Sequence, residues 1–159
     1  MIVRSSVLIC PLLSIYIPAT GVQSDITLPG GIVTVMHEVL ESSRVPGRGV
    51  YSQAVRIGEL LFVAGQAGLD PSTGAVAGST FEAQARQAFE NLRAILEDAG
   101  SSLDRVVKTT CWLAVPEAFD QLNALYAEYF PVAPPARSTP VVQLPRGLLF
   151  SIEAIAAAG

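Results

Sequence analysis

Two charged side chains near the C-terminal end of this 159-residue sequence have the types and settings to do chemistry. Arg137 lies in Pro134-Pro135-Ala136-Arg137-Ser138-Thr139, where two prolines hold the backbone extended ahead of a strand. A guanidinium fixed at the mouth of a sheet is a planar fork suited to a small carboxylate. Glu153 lies in Phe150-Ser151-Ile152-Glu153-Ala154-Ile155-Ala156, a run with no other charge. A carboxylate there is costly to bury unless another group pairs with it or a reaction uses it. Together the two suggest a site that grips an anionic metabolite and moves protons with an acid. Each also has a plainer reading: Arg137 could close a strand end with a structural ion pair, and Glu153 could be its permanent partner.

The elements that must position these groups are legible from about residue 48. Val50 to Ile57 reads as a strand, Gly58-Glu59 as a turn, and Leu60 to Ala64 as a second, nearly all-apolar strand, so the two form a hairpin. Gly65 to Gly78 is a loop with a turn at Asp70-Pro71-Ser72-Thr73-Gly74. Ser79-Thr80-Phe81-Glu82 fits a capping box, and Phe81, Ala85, Phe89, Leu92, Ile95 and Leu96 then recur at helical spacing until Gly100 stops the helix. Arg105 to Val115 is a strand. Pro116 suits the first position of a second helix, whose apolar face carries Phe119, Leu122, Leu125, Tyr126 and Tyr129. Thr139 to Leu144 and Leu148 to Ala156 are the last strands, joined by Pro145-Arg146-Gly147. The order β-β-α-β-α-β-β predicts a single α+β domain: one mixed sheet with both helices on one face, and a partner subunit to cover the other.

Composition narrows the function class. Hydrophobic residues make up 50% and charged residues 15%, an apolar balance whose surplus suits a subunit interface. The net charge of −4 and the absence of a basic stripe argue against nucleic acid and anionic membrane as partners. Cys10 and Cys111 have no metal-ligand spacing and make no disulfide framework, and no metal site is expected. Lys108 is the one lysine, read as solvated or intersubunit rather than as a Schiff-base nucleophile; Cys111 reads as a small buried hydrophobe and His37 as a surface residue. Residues 1–35 are set apart as an N-terminal extension to a domain spanning 36–159. Within it Ser6 to Pro18 is apolar, too short and too broken by Pro11 to span a membrane. It reads either as codons preceding a true start at Met36, with a cytoplasmic protein, or as a secretory leader, with an exported one.

A set of Tyr, Asn, Arg and Glu can hydrolyse an imine without metal or cofactor. An arginine orients the substrate carboxylate, a partly buried glutamate serves both proton steps, and a tyrosine hydroxyl holds water or nitrogen. The motifs Gly49-Val50-Tyr51-Ser52-Gln53-Ala54, Phe62-Val63-Ala64-Gly65-Gln66, Val107-Lys108-Thr109-Thr110, Leu122-Asn123-Ala124-Leu125-Tyr126, Pro135-Ala136-Arg137-Ser138 and Ile152-Glu153-Ala154-Ile155-Ala156 resemble, in wording and order, the RidA/YjgF family of enamine/imine deaminases. The resemblance covers residues 36–157.

The resemblance implies a chorismate-mutase-like fold, a homotrimer with sites between subunits, and cofactor-free hydrolysis of 2-imino acids or their enamine tautomers to 2-keto acids and ammonia. Carried over by motif, it implies Arg137 as the carboxylate clamp and Glu153 as the residue that positions and activates water. Tyr51 is a further catalytic candidate, and Asn123, Gly65 and Thr139 are substrate-binding candidates. Two positions depart from the family pattern. Ala64 stands where many members have serine and cannot supply a hydroxyl; Thr139 stands where many have cysteine and can still hydrogen-bond. A trimeric module that binds small carboxylates without turnover is the rival reading. An endoribonuclease or translation inhibitor is a third, disfavoured by the acidic charge.

Overall fold

The computed structural model describes residues 21–28, 31–45, 47 and 49–159, with side chains from His37 onward. The apolar segment Ser6 to Pro18 lies outside the described residues. The chain runs β1 (Gly21–Leu28), β2 (Gly31–Leu40), β3 (Ala54–Ile57), β4 (Leu60–Ala67), α1 (Phe81–Asp98), β5 (Val106–Leu113), α2 (Phe119–Tyr129), β6 (Ala136–Ser138) and β7 (Phe150–Ala157). From β3 onward this is the expected β-β-α-β-α-β-β order. All the strands join one sheet in the order β1-β2-β3-β4-β7-β5-β6. Among the described strands only the β5–β6 pair is parallel, so the sheet is mixed and the fold α+β.

The strands read from the sequence shorten where side chains compete with the ladder. Val50 to Gln53 stay outside β3 because Gln53 turns inward and is buried. Its Oε1 accepts from the Ser42 amide at 2.7 Å and its Nε2 donates to the Val45 carbonyl, which ties the 41–45 segment to the sheet. Thr139 to Leu144 is not a strand. The pairing edge lies upstream at Ala136–Ser138, and beyond it only an isolated bridge joins Leu113 and Val141. Pro140 has no N–H to give a ladder there.

Helix α1 is capped one residue later than the capping-box spacing suggests. Thr80 is the N-cap and its hydroxyl accepts from the Ala83 amide at 3.2 Å, while Glu82 pairs with Arg86 at 3.0 Å. Gly100, at φ +76, closes α1: its amide donates to Glu97 O, and the Ser101 amide donates to Leu96 O. Pro116 opens a single 3₁₀ turn, Pro116–Ala118, which leads into α2.

The core lies between the helices and one face of the sheet. α1 packs on β4 and β7, and α2 packs on α1. Leu61, Ile152, Cys111 and Leu113 from the sheet meet Phe89, Leu92 and Leu96 from α1 with no exposed surface. Each such aliphatic or aromatic side chain contributes about 1.5–3 kcal/mol by leaving water. Phe89 stacks on Tyr129 at 4.4 Å and meets Tyr126 edge-on at 6.1 Å, locking α2 to α1. The opposite sheet face remains open, with Ile57, Leu60 and Phe62 each about 40% exposed.

Candidate functional site

Arg137 is aimed by strand register. β6 pairs Arg137 with Thr109 and β5 pairs Thr110 with Glu153. Side chains alternate across a strand, so residues paired with Thr109 and Thr110 point to opposite faces. Thr109 is fully buried on the helix side, where its hydroxyl and the Tyr126 phenol share a hydrogen bond of 2.7 Å. Arg137 accordingly lies over the Tyr126 ring, 4.7 Å from its centroid, and 5.7 Å from that of Phe119. Its Nη2 donates to Asn123 Oδ1 on α2 at 2.7 Å. No carboxylate among the described residues pairs with it. The guanidinium is thus oriented on two sides and half-buried, and it holds no counter-charge among the described residues.

Burial pushes the Tyr126 phenol up, partly offset by its bond to Thr109. The same burial pushes the Cys111 thiol up to about 12 despite the nearby Arg137 and Lys108 charges, leaving a protonated, small apolar side chain.

Glu153 lies on the open face. It lines a cavity of about 400 Å³ with Ser52, Ala64, Lys108 and Thr110. Lys108 does not pair with it; the ammonium donates to Thr109 O at 2.6 Å and to Ser138 Oγ at 3.0 Å. Within one chain, then, Arg137 and Glu153 face opposite sides of the sheet and are not an ion pair.

Tyr51 and Gly65 sit together in a neighbouring cavity of about 720 Å³, whose walls include Ser151, Thr73 and Arg146. Gly65 falls in a bulge, where the β4–β7 register shifts between Val63 and Gln66. A Cβ at Gly65 would stand 3.2 Å from Ser151 Oγ, so glycine lets the backbone approach that hydroxyl. β7 thus sends Ser151 into one cavity and Glu153, two residues on and facing the same way, into the other. Tyr51 is 57% exposed. Thr139 is half-buried just past β6 and lines neither cavity.

The sequence candidates therefore form two groups. Arg137 and Asn123 meet on the helix side; Tyr51 and Gly65 share one cavity on the other side, and Glu153 occupies the next. Sequence reading missed Ser151 and Arg146. Ser151 has the strand parity of Glu153, a signal that was present; Arg146 stood in a turn read only as a connector. No group of three His, Cys, Asp or Glu side chains among the described residues could hold a metal ion. No helix among them is long and apolar enough to cross a membrane.

The sequence profile of the family described as Endoribonuclease L-PSP matches residues 41–158. The chain belongs to this RidA/RutC family. It is 45% identical over 123 residues to a RutC family protein of Pyrococcus horikoshii, covering 76% of this chain and 98% of that one. It is 38% identical over 128 residues to the human protein named 2-iminobutanoate/2-iminopropanoate deaminase, covering 79% and 93%. Among solved structures, RidA from an Antarctic Psychrobacter aligns with a TM-score of 0.72 at 38% identity, covering 76% of this chain and 98% of that one. E. coli TdcF with bound serine aligns with the same TM-score at 33% identity, covering 77% and 99%. Family members thus include proteins named as imine deaminases, and the fold seen here is theirs.

Proposed function

We propose that this chain is a cofactor-free deaminase, acting in the cytoplasm, that hydrolyses 2-imino acids or their enamine tautomers, such as 2-iminobutanoate and 2-aminoacrylate, to 2-keto acids and ammonia. The observation that carries the reading is the Arg137 guanidinium, oriented by Asn123 and the Tyr126 ring with no carboxylate among the described residues to neutralise it. Such a group is a ready clamp for a substrate carboxylate. The deaminase names of the mouse and human relatives support the reaction class.

In this reading Arg137 fixes the substrate. Water guided by Glu153 adds to the iminium carbon and gives its proton to the carboxylate. The carbinolamine nitrogen takes that proton back, and the C–N bond breaks as the hydroxyl gives its own proton to the Glu153 carboxylate, leaving the ketone and ammonia. One water is consumed and one ammonia released. Since Arg137 and Glu153 face opposite sides of one sheet, the site needs two copies. One lends Arg137 and Asn123; the other lends Glu153, Tyr51 and Gly65. A homotrimer would hold three such clefts, and the exposed Ile57, Leu60 and Phe62 support association of this face.

One observation favours the rival, a carboxylate-binding module without turnover. The cavity holding Tyr51 and Gly65 has no carboxylate in its walls, and Ala64 brings no hydroxyl to the bulge. The deciding experiment generates 2-iminobutanoate with a coupled amino-acid dehydratase and follows 2-keto acid formation, with wild type beside Arg137→Ala. Acceleration by wild type that Arg137→Ala cuts by about ten-fold or more supports the deaminase. Binding of 2-oxobutanoate with no acceleration selects the module.

A further inference from the structure

We propose that Arg146 reads a second acidic group on the ligand, so that the preferred substrates are 2-imino acids whose side chain ends in a carboxylate. This rests on the deaminase reading and names its substrate class. Arg146 sits in the Pro145–Gly147 turn at φ 58 and ψ 26. A side chain is uncommon in that left-handed conformation, which costs about 1–2 kcal/mol for a residue bearing a Cβ. The turn puts Arg146 in the wall of the 720 Å³ cavity that Tyr51, Gly65 and Ser151 share, and among the described residues it is the only charged side chain in that wall.

Asp70 starts the loop that brings Thr73 to the cavity, but its Oδ1 accepts from the Ser72 amide at 2.8 Å, the Ser72 hydroxyl at 2.5 Å and the Thr73 amide at 2.9 Å. Among the described residues Arg146 has no ion pair. A cation with no counter-charge among the described residues, in one cavity wall with the hydroxyl-bearing Tyr51, Thr73 and Ser151, is the chemistry of an anion site.

Arg137 already serves the α-carboxylate, so Arg146 is a second, separate positive charge on the other side of the sheet. The cavity also exceeds what a three- or four-carbon imino acid fills; pockets of about 300–1,000 Å³ hold drug-sized ligands. Its remaining walls, including Leu69, Val76 and Leu148, suit the methylenes of a longer chain ending in an acid. Arg146 therefore sets side-chain specificity and takes no part in the proton transfers.

The test uses stable product analogues, so it does not depend on turnover. Calorimetric binding of 2-oxoglutarate is compared with that of 2-oxopentanoate, a five-carbon chain lacking the terminal carboxylate. Wild type is expected to prefer the dicarboxylate about five-fold at low ionic strength, the scale of an exposed ion pair. Added salt should shrink the preference. Arg146→Asn, which tolerates the left-handed backbone, should abolish it and Arg146→Lys should keep it. Arg137→Ala should weaken both acids while leaving their ratio. Equal binding by wild type, no binding of either acid, or a preference that survives Arg146→Asn overturns the proposal. Preference without imine turnover would instead count against the deaminase reading alone.

Discussion

If Asn123 acts by aiming Arg137, its removal should matter only while the guanidinium is present. The structure sets the scale. One 2.7 Å hydrogen bond ties Arg137 Nη2 to Asn123 Oδ1, and the Tyr126 ring lies 4.7 Å beneath the guanidinium. A hydrogen bond from a charged donor to a substrate carboxylate contributes about 1.5–3 kcal/mol. Arg137→Ala should therefore lower kcat/KM for 2-iminobutanoate by roughly 10- to 150-fold, at about 1.4 kcal/mol per decade. Arg137→Lys keeps the charge but loses the fork and the stacking, so it should recover only part of that loss. Asn123→Ala leaves the guanidinium in place but free to swing; the partly exposed bond predicts a loss of about 1 kcal/mol, roughly five-fold, mainly in KM. The double variant should be no worse than Arg137→Ala alone, giving a coupling of about 1 kcal/mol. The assay is the coupled imine reaction with all four proteins at matched folded concentration. Unchanged activity in Arg137→Ala would refute the clamp. Strictly additive losses in the double variant would mean that Asn123 acts on substrate independently of Arg137.

Three other perturbations test separate links. Glu153→Gln should lower kcat by about 10²-fold or more with KM nearly unchanged, as expected for loss of a general acid–base; an equal loss in ligand affinity would argue that Glu153 binds rather than transfers protons. Thr109→Val leaves the Tyr126 phenol buried without its partner and should destabilise the fold by about 1–3 kcal/mol, whereas Thr109→Val with Tyr126→Phe should recover most of that, read by denaturant midpoints. The Arg44 guanidinium and the Ser42 hydroxyl together hold the Asp98 carboxyl below the usual carboxylate range. Its contribution is therefore present above the unfolded value of about 3.9 and lost as pH falls through the lower folded value. Asp98→Asn should accordingly be less stable than wild type at neutral pH, with the gap closing in acid; a gap independent of pH would assign the effect to shape rather than charge.

The sequence by itself determined the element order from β3 onward, because the signals that set it are local. Apolar spacing writes α1 and α2, Gly100 stops α1, and the β3–β4 hairpin is written by its turn. It also determined the types of the chemical groups: one arginine after a Pro-Pro-Ala run, one glutamate in an apolar strand, and six ordered motifs that resemble a family. Local pattern misplaced the ends. The Thr80 cap, the inward turn of Gln53 and the shift of β6 upstream of Pro140 each depend on what a backbone amide finds after folding.

Only the tertiary structure decided which groups meet. A one-residue step along β5 separates Thr109 from Thr110, and that step sends Arg137 to the helix side and Glu153 to the open face. Register and bulge set such facing, and both arise between strands far apart in sequence. The same bulge at Gly65 brings Ser151, rather than Glu153, to the cavity of Tyr51, and the turn after Leu144 swings Arg146 into its wall. Residue type is fixed by the chain; shared space is fixed by long-range pairing, which local spacing does not encode.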